Sequence, residues 1–303
     1  MYKLVSIILS LTLISACAEE GDKQSIEIGT VNWERNYPTA IQLAKKEDKP
    51  VFLLFQEVPG CAGCQQFGRD VLSNSLIKKS IETSFIPLMI RNNAGSGHDQ
   101  EILEKFKEPA WNYQVVRFIN DEGEDLIARK DKVWATKPLS ERMIQVLQKE
   151  QKPIPPALAL AYQDSDTINH RSAAFAMACF WVGEAELGQL DGVVSTEAGW
   201  LDGREVTLVK YHKDTISLQS LVKEAQKVDC AQKVYLGEDE LAKADLGRLA
   251  LGKLDKSYRK AKASDQKRQL QGIITDVSAY NDAQLTKINA LIRSNPDLAK
   301  QYL

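Results

Sequence analysis

The sequence predicts an α/β domain followed by an α+β domain, on three observations. Its 303 residues hold about two cores at ~150 residues per domain. The proline-rich stretch Lys152-Pro153-Ile154-Pro155-Pro156 separates two segments that each alternate regularly between element types. The first segment has continuous apolar runs, as strands buried on both faces do, and the second reads strand, helix, strand, strand, helix, strand. Composition removes other classes. With 39 basic and 41 acidic side chains the formal charge is −2, which gives no general pull toward nucleic acid. A hydrophobic content of 44% is too high for a disordered chain.

The chain opens on an address. Lys3 precedes an apolar run of 11 residues, Leu4 to Ile14, too short for the ~20 residues of a spanning helix. Its ending, Leu13-Ile14-Ser15-Ala16-Cys17, resembles a bacterial lipobox. That resemblance implies a signal peptide over residues 1–16, a lipid on Cys17 and a polar tether over 17–27. It places the protein in the cell envelope. The absence of Asp at position 18 points to the periplasmic face of an outer membrane.

The first domain spans residues 28–150. Pro38 suits the first turn of a helix over 38–46, in which Ile41 and Ala44 share a face. Val51 to Phe55 is a central strand, followed by Cys61-Ala62-Gly63-Cys64 and a helix continuing from Gln65 to Val71. Phe85 to Ile90 and Val115 to Ile119 are further strands, and Asp121-Glu122-Gly123 turns the chain into a strand over 125–128. Leu139, Met143, Val146 and Leu147 mark one face of a closing helix. A strand leading to C-x-x-C at a helix start resembles the thioredoxin fold. Chemically, a helix N-terminus stabilises a thiolate at Cys61, and Cys64 one turn later resolves a mixed disulfide. An inert disulfide or half a zinc site are the alternatives. Two positions depart from the thioredoxin pattern. Gly60 stands where a Trp is usual, and Gln114 where a cis-Pro is usual.

Residues 151–169 read as a linker and 170–303 as the second domain. Strands are expected at 173–178, 193–200, 205–211 and 234–236, with helices at 180–190 and 218–227. This is the ferredoxin-like, split β-α-β order. Ala178-Cys179-Phe180-Trp181-Val182-Gly183-Glu184 resembles the G-C-F-W-x-x-E signature of type A peptide methionine sulfoxide reductases. Asp191 to Trp200 resembles that family's P-G-V-x-S-T-x-x-G-Y stretch, and Glu205 stands eleven residues before Ile216-Ser217, as in the family.

The resemblance implies a peptide-methionine (S)-S-oxide reductase. Cys179 would be the nucleophile, Phe180 and Trp181 an apolar wall for the substrate's S-methyl group, and Glu205 the acid. Cys230 is the remaining cysteine and the candidate resolving thiol; its alternative is a small buried hydrophobe. Asp229 is the candidate for a family Asp. The short Leu201-Asp202-Gly203 turn leaves no counterpart to a family tyrosine. The expected partners are oxidised methionines of envelope proteins and an upstream thiol–disulfide donor, with no nucleic acid. No metal, nucleotide or flavin cofactor is implied. A rival reading keeps thiol–disulfide chemistry in the first domain and makes the second a binding module. In the tail, Leu241, Leu246, Leu249 and Leu254 suggest helix, and 257–267 a solvated charged stretch without chemistry.

Overall fold

The computed structural model describes residues 25–110, 114–228 and 231–303. Cys17 and Cys230, the expected lipid anchor and resolving thiol, lie outside the described residues, as does Asp229.

Helix α1 (Tyr37–Glu47) starts where the Asn36 side chain accepts the Thr39 N–H at 2.9 Å, and ends at Asp48 in the left-handed region. Strand β1 (Val51–Gln56) is buried at every residue, which is why its sequence is a continuous apolar run. It leads into α2 (Ala62–Phe67), followed by α3 (Ser75–Ser84), β2 (Ile86–Arg91), α4 (His98–Lys105), β3 (Val115–Ile119) and α5 (Thr136–Lys149). The sheet order is β2-β1-β3, with β1 parallel to β2 and antiparallel to β3. Single bridges extend it, Glu34 to Leu88 on one side and Asp125 to Ile119 on the other. The expected strand over 125–128 is therefore reduced to one bridge. The described residues contain one cis peptide, Val58-Pro59, just ahead of Cys61.

Between the two halves, the stretch expected to be a linker holds helix α6 (Pro156–Ser165). Pro155 and Pro156 start it, because a proline in the first turn gives up only an N–H that has no partner there. Leu158, Leu160 and Ala161 are buried in an apolar core shared with Phe52, Leu76 and Leu139 on one side and with Ile288 and Tyr302 on the other. The Ser75 hydroxyl bonds Gln284 Oε1 at 2.9 Å, and Lys79 Nζ donates to the Lys300 carbonyl at 3.0 Å. The C-terminal residues thus pack against α3 of the first half.

The second half runs β4 (His170–Ala176), α7 (Phe180–Gly188), β5 (Val193–Leu201), β6 (Arg204–His212), α8 (Leu218–Lys227) and β7 (Lys233–Leu236). These four strands lie in the antiparallel order β7-β4-β6-β5, the split arrangement read from the sequence. The tail then departs from expectation. After a single helical turn, α9 (Glu238–Leu241), it adds β8 (Ala250–Lys253) parallel to β7 and β9 (Arg259–Lys260) antiparallel to β5, so both sheet edges are covered. Leu251 lies in β8 and Leu249 just before it, so neither belongs to a helix, and both pack against the core under the sheet. Helix α10 (Asp282–Leu291) has a capping box between Asn281 and Gln284 and lies against α7, and α11 (Pro296–Ala299) closes the chain.

Candidate active sites

The first site is built on the end of β1. Cys61 is the N-cap of α2 and half-buried, whereas Cys64 is fully buried one turn on, with the sulfurs 3.3 Å apart. The backbone N–H of Cys64 is the main influence holding the Cys61 thiol below its ordinary range. The Cys64 thiol and the Gly63 N–H assist, while burial and the Glu57 charge oppose. Burial, with the neighbouring Cys61, pushes the Cys64 thiol up to about 12. The thiolate is therefore favoured at Cys61 and the protonated thiol at Cys64.

Glu27, which belongs to no sequence motif, fixes this loop. Its carboxylate accepts the Gly60 N–H at 2.9 Å, and its carbonyl accepts from Gln56 Nε2 at 2.6 Å. Gly68 lets the segment come this close, since a Cβ there would sit 1.8 Å from the Ile26 carbonyl. Glu57 brings a carboxylate within 4.8 Å of both sulfurs. Such a donor set suits a thiophilic ion, and the expectation of no metal did not weigh Glu57. Iodoacetamide should alkylate Cys61 with a midpoint below the ~8.5 of a free thiol and leave Cys64 unmodified across the neutral range. Equal rates at both sulfurs would contradict this assignment, with peptide mass mapping as the readout.

The second site lies where β4 gives way to α7. Cys179 is the half-buried N-cap of α7, and the carboxylate of Glu205 accepts the N–H of the next residue, Phe180, at 2.9 Å. Cys179, Phe180 and Glu205, which are 26 residues apart at most in sequence numbering, meet at one helix end. Phe180 is 4% exposed and packs edge-on against Trp181 and Trp200, each at 5.7 Å. The Thr207 hydroxyl donates to the Phe180 carbonyl at 3.1 Å. Gly183 permits this packing, because a Cβ would lie 2.1 Å from the Met177 sulfur.

The tail, expected to be solvated, supplies the rest. Trp181 Nε1 donates to the Asp265 carbonyl at 3.0 Å, and the Arg268 guanidinium lies 4.9 Å from the Trp181 ring centre. Gln266 bonds both the N–H and the carbonyl of Ala198. Lys267 is buried, its N–H donating to Glu184 Oε2 at 2.9 Å and its ammonium to Glu184 Oε1 at 3.2 Å. Burial raises the Glu184 carboxyl and the Lys267 charge opposes that rise. No local signal marked Lys267, whose partner lies 83 residues away. Tyr258 is the hydroxyl that the tail brings to β5. It covers Gly199 and bonds Glu197 at 2.8 Å, on the sheet face opposite the one that Phe180 packs on.

Residues 32–119 match the family model described as thioredoxin-like. No curated protein sequence matches the chain. Among solved structures, a DsbH oxidoreductase is similar at 20% identity and a TM-score of 0.33, covering 44% of this chain and 94% of its own. A thioredoxin from Thermus thermophilus is similar at 21% identity and a TM-score of 0.33, covering 40% and 89%. Methionine sulfoxide reductase A of Corynebacterium diphtheriae is similar at 15% identity and a TM-score of 0.29, covering 37% and 79%. With the C-x-x-C pair at the end of its central strand, the N-terminal half of this chain carries a thioredoxin-like domain.

Proposed function

We propose that the chain is a peptide-methionine (S)-S-oxide reductase of the cell envelope whose reductant is its own thioredoxin-like domain. The observation that carries this reading is the meeting of Cys179, the Phe180/Trp181 pair and Glu205 at one helix N-terminus. The Cys179 thiolate attacks the sulfoxide sulfur while Glu205 protonates its oxygen, and that oxygen passes to the Cys179 sulfur as the transient bond between the two sulfurs breaks. Sulfide is released and Cys179 becomes a sulfenic acid. A second thiol condenses with it to a disulfide and water.

Cys230 suits that step by chain length. It lies three residues before Lys233, and Cys179 lies three residues after Ala176, the antiparallel partner of Lys233. Three residues of chain reach at most ~10 Å, so the spacing of the two cysteines from that rung is short enough for a disulfide between them. Cys61 then attacks this disulfide and Cys64 displaces it, leaving Cys179 and Cys230 reduced and Cys61–Cys64 oxidised. An upstream thiol–disulfide donor must reduce that pair again. A tether of mM effective concentration supports a relay where no soluble thioredoxin pool exists. A lipid on Cys17 would hold the protein at the periplasmic face of the outer membrane, with oxidised methionines of envelope proteins as substrates.

The test is turnover of a peptide S-sulfoxide by the reduced protein, with products resolved by chirality. Glu205→Gln should slow it about 100-fold, the scale of a lost general acid, while Cys179 still reacts with an alkylating agent. Equal turnover by both forms would remove Glu205 from the mechanism. A second reading, thiol–disulfide exchange by the first domain with the second as a binding module, draws on Tyr258, whose hydroxyl is held by Glu197 away from Cys179. No single turnover with Cys179 reduced would establish that reading.

A further inference from the structure

The added strand β9 does more than cover an edge. Residues paired across a sheet share a face, and Arg259 pairs with Trp200, which pairs with Glu205. Ala198 and Ala261, in the next row on that same face, close on Phe180. The row Glu205–Trp200–Arg259 therefore lies on the face that carries the N-terminus of α7 and its Cys179. Trp200 is 36% exposed there. In the same aromatic wall, the Arg268 guanidinium sits over the Trp181 ring and is held by Gln271 Oε1 at 2.8 Å.

Charge is unbalanced in this segment. Residues 253–268 hold seven Lys and Arg against two Asp. Lys253, Lys260 and Lys267 are taken by Glu238, Glu197 and Glu184. Arg259 and Arg268 are exposed, and among the described residues neither has an acidic partner. The one acid in the row, Glu205, is engaged by the Phe180 N–H. Two guanidinium groups without an acidic partner among the described residues, one in the Trp200 row and one over Trp181, thus lie against the aromatic wall beside Cys179.

We infer that Arg259 and Arg268 form an anion-binding subsite, and that the substrates of Cys179 are methionine sulfoxides set among Asp and Glu side chains. This rests on the proposed reading of the Cys179 site and adds the sequence context it selects. A guanidinium meets a carboxylate through two parallel charge-assisted hydrogen bonds, and a lysine would not reproduce that fork. A cleft of one sign also concentrates oppositely charged peptide, an effect that salt removes.

The test is binding, read by tryptophan fluorescence, of two peptides that differ only in having Glu or Gln on either side of one methionine sulfoxide. The full chain should bind the Glu peptide about tenfold more tightly at low salt, and the ratio should fall as salt rises. Arg259→Gln/Arg268→Gln should bring the ratio close to one, and Arg259→Lys/Arg268→Lys should restore part of it. Far-UV circular dichroism checks that each variant is folded. Equal affinity of the unaltered protein for both peptides, binding of neither, or a preference that survives the double Gln change would overturn the subsite. Because the readout is affinity, a preference without turnover leaves the subsite standing and removes the reductase reading. Turnover without a preference does the reverse.

Discussion

Cys61→Ser/Cys64→Ser protein, fully reduced at the start, should complete one turnover on a peptide sulfoxide and then stop as a Cys179-linked disulfide. Under the proposed relay the unaltered chain would regenerate Cys179 from within, because the thiolate favoured at Cys61 is part of the same molecule. Without that pair, an external protein donor must find the disulfide by diffusion, and steady turnover should drop at least about 100-fold. A small dithiol should restart it by direct exchange. Undiminished turnover with the protein donor alone would leave two independent activities in one chain.

The largest expected loss of stability follows removal of Lys267. Its ammonium and N–H are the partners of the Glu184 carboxylate, which is 0% exposed. Lys267→Ala keeps the backbone N–H but removes the cation beside that buried carboxylate, a change that costs about 3–5 kcal/mol for a broken buried pair. Glu184→Leu/Lys267→Met should recover most of the loss, since removing both charges also removes their desolvation cost. Urea unfolding midpoints measure both. A loss under about 1 kcal/mol in the single variant would mean that water screens the pair.

The parts of this molecule that were legible in the sequence are those written by local pattern. β1 is a run of apolar residues because both its faces are buried. α8 matched residue for residue, its apolar stripe of Leu221, Val222 and Ala225 being flanked by a Ser217 cap whose side chain accepts from the Ser220 N–H. The placement of Cys61 and Cys64 at one helix start, and of Cys179 beside Glu205 at another, agrees with the motif spacings in the sequence. What escaped is contact between segments distant in sequence. Lys267 reads as one more charge in a polar stretch, and its burial follows from Glu184 and the Thr196 carbonyl, both far away in the chain. Arg259 reads likewise, until β9 pairs with β5. The prolines at 153, 155 and 156 signal a break in the chain, but the same chemistry starts helix α6, and only tertiary packing fixed that outcome. Glu27 belongs with these, joined to the Cys61 loop by one hydrogen bond across 33 residues.

The relay between the two halves is tested most directly by trapping it. In Cys64→Ser protein the proposed attack of Cys61 on a Cys179–Cys230 disulfide would lack the Cys64 thiol that completes it, so the mixed disulfide should persist. Reduced Cys64→Ser protein, given one equivalent of peptide sulfoxide and digested without reductant, should yield a disulfide-linked peptide pair joining Cys61 to Cys179 or to Cys230, with sulfide peptide in matching amount. Sulfide peptide formed without any such linked pair would contradict the account.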